Sequence, residues 1–111
     1  MAGSDVRENL FGGKGSVEVY NLLGRRAAGV FKATLACSLT PAGSVGSHVQ
    51  EAHDELIIGL EGKGTVTIDG QNESMGPGSV SYLGLGQVLA IQNDSLEDAL
   101  RYLIVKATPE P

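Results

Sequence analysis

Glycine and proline cut this chain into short β-prone runs at intervals of roughly eight to twelve residues, and that punctuation constrains the fold more than any other feature. Val17, Val19 and Leu22-Leu23 form one apolar run, and Gly24-Arg25-Arg26 reads as a turn. Val30 to Leu35 alternates imperfectly, Pro41 to Gly46 reads as a loop, and Glu55 to Leu60 is a compact apolar strand turned back by Gly62-Lys63-Gly64. Thr65-Val66-Thr67-Ile68 alternates cleanly up to Asp69-Gly70, a two-residue hairpin signal. After Gly76-Pro77-Gly78 come Val80 to Leu83, Val88 to Gln92 and Tyr102 to Lys106. Ser95 to Leu100 alone shows helical spacing, with a capping serine, but is too short to stand as a helix in water and reads as a turn. Polar, glycine-rich residues 1–16 read as a flexible tail, and residues 17–111 as one all-β domain, a sandwich or barrel.

With 111 residues there is room for one such domain. A net charge of -5, with no basic cluster beyond Arg25-Arg26, excludes nucleic acid as a natural partner. No apolar run approaches the length of a membrane span and no secretory h-region opens the chain, so the expectation is a cytoplasmic protein without membrane contact. The single cysteine, Cys37, lies in an apolar run without an evident activating histidine and reads as a small buried hydrophobe. A domain this small buries limited surface alone, and the Val17 to Leu23 run offers an apolar edge, which points to a homodimer.

The stretch with chemical content runs from Pro41 to Asn93. It contains His48-x-Gln50-x4-Glu55-x6-Gly62, then Gly78-x5-Gly84-x-Gly86-x2-Leu89-x3-Asn93. This resembles the two motifs of the cupin superfamily, G-x5-H-x-H-x3/4-E-x6-G and G-x5-P-x-G-x2-H-x3-N, over about half the chain. The resemblance implies a cupin-type double-stranded β-helix, a jelly-roll barrel. It departs from the pattern at four places. Gly43 stands one residue too close to His48, Gln50 replaces the second histidine, Gly84 the proline, and Leu89 the third histidine.

Cupin metal sites use three histidines and a glutamate, so the resemblance makes His48, Gln50 and Glu55 the candidate ligands of a divalent metal ion. On a strand, His48 and Gln50 share a face, and Glu55 follows after a short turn. An imidazole with amide and carboxylate oxygens suits a borderline or hard cation. The same residues could instead satisfy one another by hydrogen bonding, with no metal. His53 reads as a solvated turn residue. Ile57, Tyr82, Gln87, Leu89 and Ile91 are the candidate ligand-binding residues. Two functions follow. One is a barrel holding a small apolar or mixed organic molecule in its lumen, with or without a weakly held divalent metal at the degenerate site. The other is a metal-dependent cupin enzyme of the dioxygenase, isomerase or lyase class, with a metal-free acid–base variant on His48 and Glu55. No phosphate loop, nucleophile elbow, C-x2-C or H-E-x-x-H motif is present.

Overall fold

The computed structural model describes residues 4–26 and 29–109. Among these residues ten strands follow one another: β1 (Ser4–Glu8), β2 (Ser16–Asn21), β3 (Phe31–Leu39), β4 (Ser44–Val49), β5 (Asp54–Glu61), β6 (Gly64–Ile68), β7 (Gln71–Met75), β8 (Val80–Leu83), β9 (Val88–Asn93) and β10 (Leu100–Ala107). They pair antiparallel in two sheets, one ordered β1-β2-β3-β10-β5-β8 and the other β4-β9-β6-β7. No helix among the described residues is long and apolar enough to cross a membrane.

The period-2 pattern decides which residues face inward. In β6, Val66 and Ile68 are buried while Thr65 and Thr67 are half-exposed, and in β9 Leu89, Ile91 and Asn93 alternate with Val88, Ala90 and Gln92. From the larger sheet, Val17, Leu39, Ile57, Leu83, Leu100 and Tyr102 meet them, closing one core. Each such side chain contributes on the order of 1.5–3 kcal/mol by leaving water. The Asp69-Gly70 turn closes the β6–β7 hairpin as its sequence signals, both residues taking positive φ (49° and 80°).

Asn93 is fully buried at the end of β9 and holds the barrel's corner together. Its side-chain amide donates to the carbonyls of Leu39, Thr40 and Asp98, and its oxygen accepts the N–H of Ser95. Ser95 in turn accepts the N–H groups of Glu97 and Asp98, so Ser95 to Ala99 is a capped turn without a helix, as its length requires.

Three expectations are corrected. Residues 4–16, read as flexible tail, include β1, which lies along β2 in register Ser4↔Tyr20 to Glu8↔Ser16, and a short 3-10 turn, Leu10–Gly12. A polar strand can hold that place because its backbone pairs on one side and its side chains stay in water. The Pro41 to Gly46 loop is shorter than expected, since β4 begins at Ser44 and pairs with β9. The Val17 to Leu23 run is no exposed edge: β2 lies between β1 and β3, ends at Asn21, and turns Val17 into the core.

Candidate functional site

Between the two sheets lies a cavity of about 540 Å³. Its apolar wall is Val17 and Val19 of β2, Leu35 and Cys37 of β3, Tyr102 and Ile104 of β10, and Val45, Leu89 and Ile91 from the opposing sheet. Asp5, Arg7, Asn21, His48, Gln50, Glu51, Glu55 and Lys106 supply its polar side chains.

A β-bulge sets the position of His48. Val45 pairs with Ile91 and His48 with Leu89, so three residues of β4 advance against two of β9. Simple alternation from the buried Val45 would turn Ser47 inward; the bulge brings His48 to the cavity instead, and Gln50 follows two residues on. The bulge lies against the segment preceding β2. A Cβ on Gly46 would collide with the carbonyl of Phe11, and one on Gly13 with the carbonyl of Ser44. Lys14 and Ser44 exchange backbone hydrogen bonds of 2.8 and 3.1 Å. Phe11 thereby stacks on the His48 ring, centroids 3.9 Å apart and planes 12° from parallel. Phe11 holds a positive φ of 52°, a costly conformation for a bulky residue that the surrounding contacts impose.

The His48 ring lies 2.9 Å from the Gly46 carbonyl through Nδ1. A carbonyl only accepts, so Nδ1 carries the proton and donates. Gln50 is buried and used at both ends. Its amide oxygen accepts the N–H groups of Ala52 (3.0 Å) and His53 (3.1 Å), and its nitrogen donates to Glu55 Oε2 at 2.6 Å. Two backbone donors on one side and a carboxylate on the other fix which end is oxygen. Glu55, 4% exposed, directs its other oxygen at Lys106 Nζ, 4.0 Å away across the β5–β10 ladder. Every buried side-chain nitrogen and oxygen among the described residues has a hydrogen-bond partner.

That donor set does not fit a divalent metal. The amide oxygen of Gln50 is committed to the turn, its N–H faces the carboxylate, and Lys106 brings an ammonium to the same carboxylate. Leu89, opposite His48, offers no donor. Among the described residues no three His, Cys, Asp or Glu side chains gather to hold an ion.

Of the residues singled out in the sequence, His48, Gln50, Glu55, Leu89 and Ile91 line the cavity together. Three others do not. Ile57 is buried in the core without lining the cavity, because the space beside it is filled. Tyr82 is 58% exposed, since it alternates with the inward-facing Ser81 and Leu83 and so lies on the outer face of the sheet. Gln87 braces two turns, its oxygen accepting the Gly84 N–H at 2.7 Å and its nitrogen donating to Asp69 at 3.0 Å. His53 stays in the turn, half-exposed, with its backbone bonded to Gln50.

Sequence reasoning missed Lys106, although its parity with Tyr102 and Ile104 marks it as inward-facing. Phe11 and Arg7 carried no local signal. Cys37 is buried as expected; burial, foremost, pushes its thiol up to about 12, which leaves no thiolate for chemistry. Burial, with Cys37 beside it, likewise raises the Tyr102 phenol above its ordinary value.

The cupin domain family model matches residues 36–106, from the end of β3 through β10. An oxalate-binding protein of Thermotoga maritima is 34% identical over 99 residues, covering 87% of this chain and 80% of the relative. A solved structure of a predicted oxalate decarboxylase from Thermotoga maritima superposes with a TM-score of 0.85 at 26% identity, covering 96% of this chain and 93% of that one. A cupin domain of Schizosaccharomyces pombe, 16% identical, shares the fold with a TM-score of 0.76 over 95% of this chain and 69% of its own. With motif, topology and family match in agreement over most of its length, the chain belongs to the cupin family.

Proposed function

We propose that this protein binds a small organic molecule in the lumen of its barrel and does so without a metal ion. One observation carries the reading: a cavity of about 540 Å³ has a largely apolar wall, and among its polar lining residues Gln50, Glu55 and Lys106 form one linked cluster. That volume lies within the roughly 300–1,000 Å³ of ordinary ligand sites, and an apolar wall with few convergent polar groups is their usual composition. The Thermotoga relative, an oxalate-binding protein, supports a small-molecule occupant of the barrel, and says nothing of that occupant's charge here. The engagement of Gln50 and Glu55 with each other and with Lys106 favours binding over the metal-dependent enzyme alternative.

The test is native mass spectrometry and calorimetry on protein purified in the presence of chelator. The expected result is a retained or titratable small organic ligand with affinity unchanged by chelator, and substoichiometric metal. Ligand binding that appears only when a divalent cation is added overturns the reading. A homodimer is proposed alongside it. With Val17 inside the core, the apolar surface proposed for pairing is the outer face at the β8 edge, where Leu56, Leu60, Val80 and Tyr82 are exposed side by side on paired strands.

A further inference from the structure

The charged groups around the lumen are already matched to one another. Among the described residues lining it, the basic side chains other than histidine are Arg7 and Lys106, and each faces a carboxylate: Arg7 Nε lies 2.9 Å from Asp5, and Lys106 Nζ 4.0 Å from Glu55. The acids are Asp5, Glu51 and Glu55, three against two, so no surplus of positive charge awaits an anion. The Arg7–Asp5 pair is largely in water, with side chains 56% and 63% exposed, and screening weakens its influence. Glu55 differs, with its side chain 4% exposed and Lys106 at 31%. Glu55 is nearly shut off from solvent, so its charge is screened less than that of the Arg7–Asp5 pair.

We propose that the lumen selects an uncharged molecule: an apolar body carrying one head group, such as an amide, that both donates and accepts hydrogen bonds. The inference rests on the lumen-binding reading above and specifies its ligand class. A second carboxylate placed beside Lys106 would sit against the buried Glu55. An ammonium placed beside Glu55 would sit against Lys106. A neutral head group meets neither repulsion. It can accept from Lys106 Nζ, whose three protons are not exhausted by one carboxylate oxygen, and donate to Glu55 Oε1. Gln50 leaves less to offer, since its oxygen serves Ala52 and His53 and its nitrogen serves Glu55. The salt bridge therefore does what a bound cation would otherwise do, countering the charge of Glu55, and leaves that buried pair neutral.

Three probes with one body and different charge test this on the full chelator-treated chain: phenylacetamide, phenylacetate and phenethylamine. Methyl resonances of Leu89, Ile91 and Ile104 report occupancy of the lumen by NMR. The amide is expected to bind at least about tenfold more tightly than either ion. Glu55→Gln, which leaves Lys106 unbalanced, is expected to raise phenylacetate affinity at least about tenfold relative to the amide. Lys106→Met, which unbalances Glu55, is expected to favour phenethylamine to the same degree, so one folded variant suffices. Either ion matching the amide on the natural protein, or a folded variant leaving the order of affinities unchanged, overturns charge selection. If all three probes bind equally, lumen binding stands and the selection fails. If none moves the methyls, the lumen-binding reading fails and takes the selection with it.

Discussion

Asp69 shows how one side chain in a tight turn ties two loops together. Its carboxylate accepts the backbone N–H of Val88 at 2.9 Å and the Gln87 amide at 3.0 Å. The Val88 N–H first, and Gln87 second, hold its pKa below the ordinary 3.8. A group depressed in the folded state stabilises above its unfolded pKa, and that stability disappears as pH falls through the folded value. Thermal melts should therefore drop below about pH 4, and Asp69→Asn should flatten that acid limb with only a small loss at neutral pH. An acid limb unchanged by the substitution would remove Asp69 from the account. Asn93 is the opposite case, a neutral side chain 1% exposed whose amide serves three carbonyls and one N–H. Asn93→Ala strands those groups in the core and should cost about 2–4 kcal/mol in denaturant unfolding. A loss under about 1 kcal/mol would mean water replaces the amide.

At the scale of elements, the bulge in β4 and the segment ahead of β2 act as one unit. Gly46 allows the Phe11 carbonyl to lie against the strand, and the Lys14–Ser44 backbone bonds fasten the contact. Gly46→Ala should push the segment away, costing about 1–3 kcal/mol and removing the ring-current shift that Phe11 places on His48. Loss of stability with the His48 resonances unmoved would separate the bulge from the stack. Other elements follow from their own residues. The alternation of Val66 and Ile68, and the Asp69-Gly70 turn, specify the β6–β7 hairpin locally. β1 has no such pattern, being exposed along its length, and its pairing with β2 is visible only in the fold.

For the whole molecule, the six-stranded sheet ends at β8 among the described residues, and Val80 on that strand is 59% exposed. Unpaired strand edges beside apolar side chains are association surfaces. Light scattering at micromolar concentration should give twice the 11.5 kDa chain mass, and Val80→Glu should return it to the single-chain value. A natural protein that scatters as one chain, or a variant that remains paired, rules out this edge as the dimer surface.

The sequence by itself determined the class of fold. Glycine spacing, strand alternation and the two motifs from His48 to Asn93 are local signals, each readable from neighbouring residues. They also located His48, Gln50, Glu55, Leu89 and Ile91, which the fold gathers at one cavity. What only the tertiary structure decided depends on partners distant in sequence. Glu55 meets Lys106 because β5 and β10 are adjacent, 51 residues apart along the chain. Tyr82 faces outward because the packing turns Ser81 and Leu83, its neighbours on β8, inward, and Phe11 reaches His48 because Gly46 and Gly13 permit close backbone contact. The motif names the candidate ligands, but hydrogen bonding sets what they can do. Gln50 must satisfy two backbone N–H groups and a buried carboxylate, and those obligations arise only once the chain has closed around it.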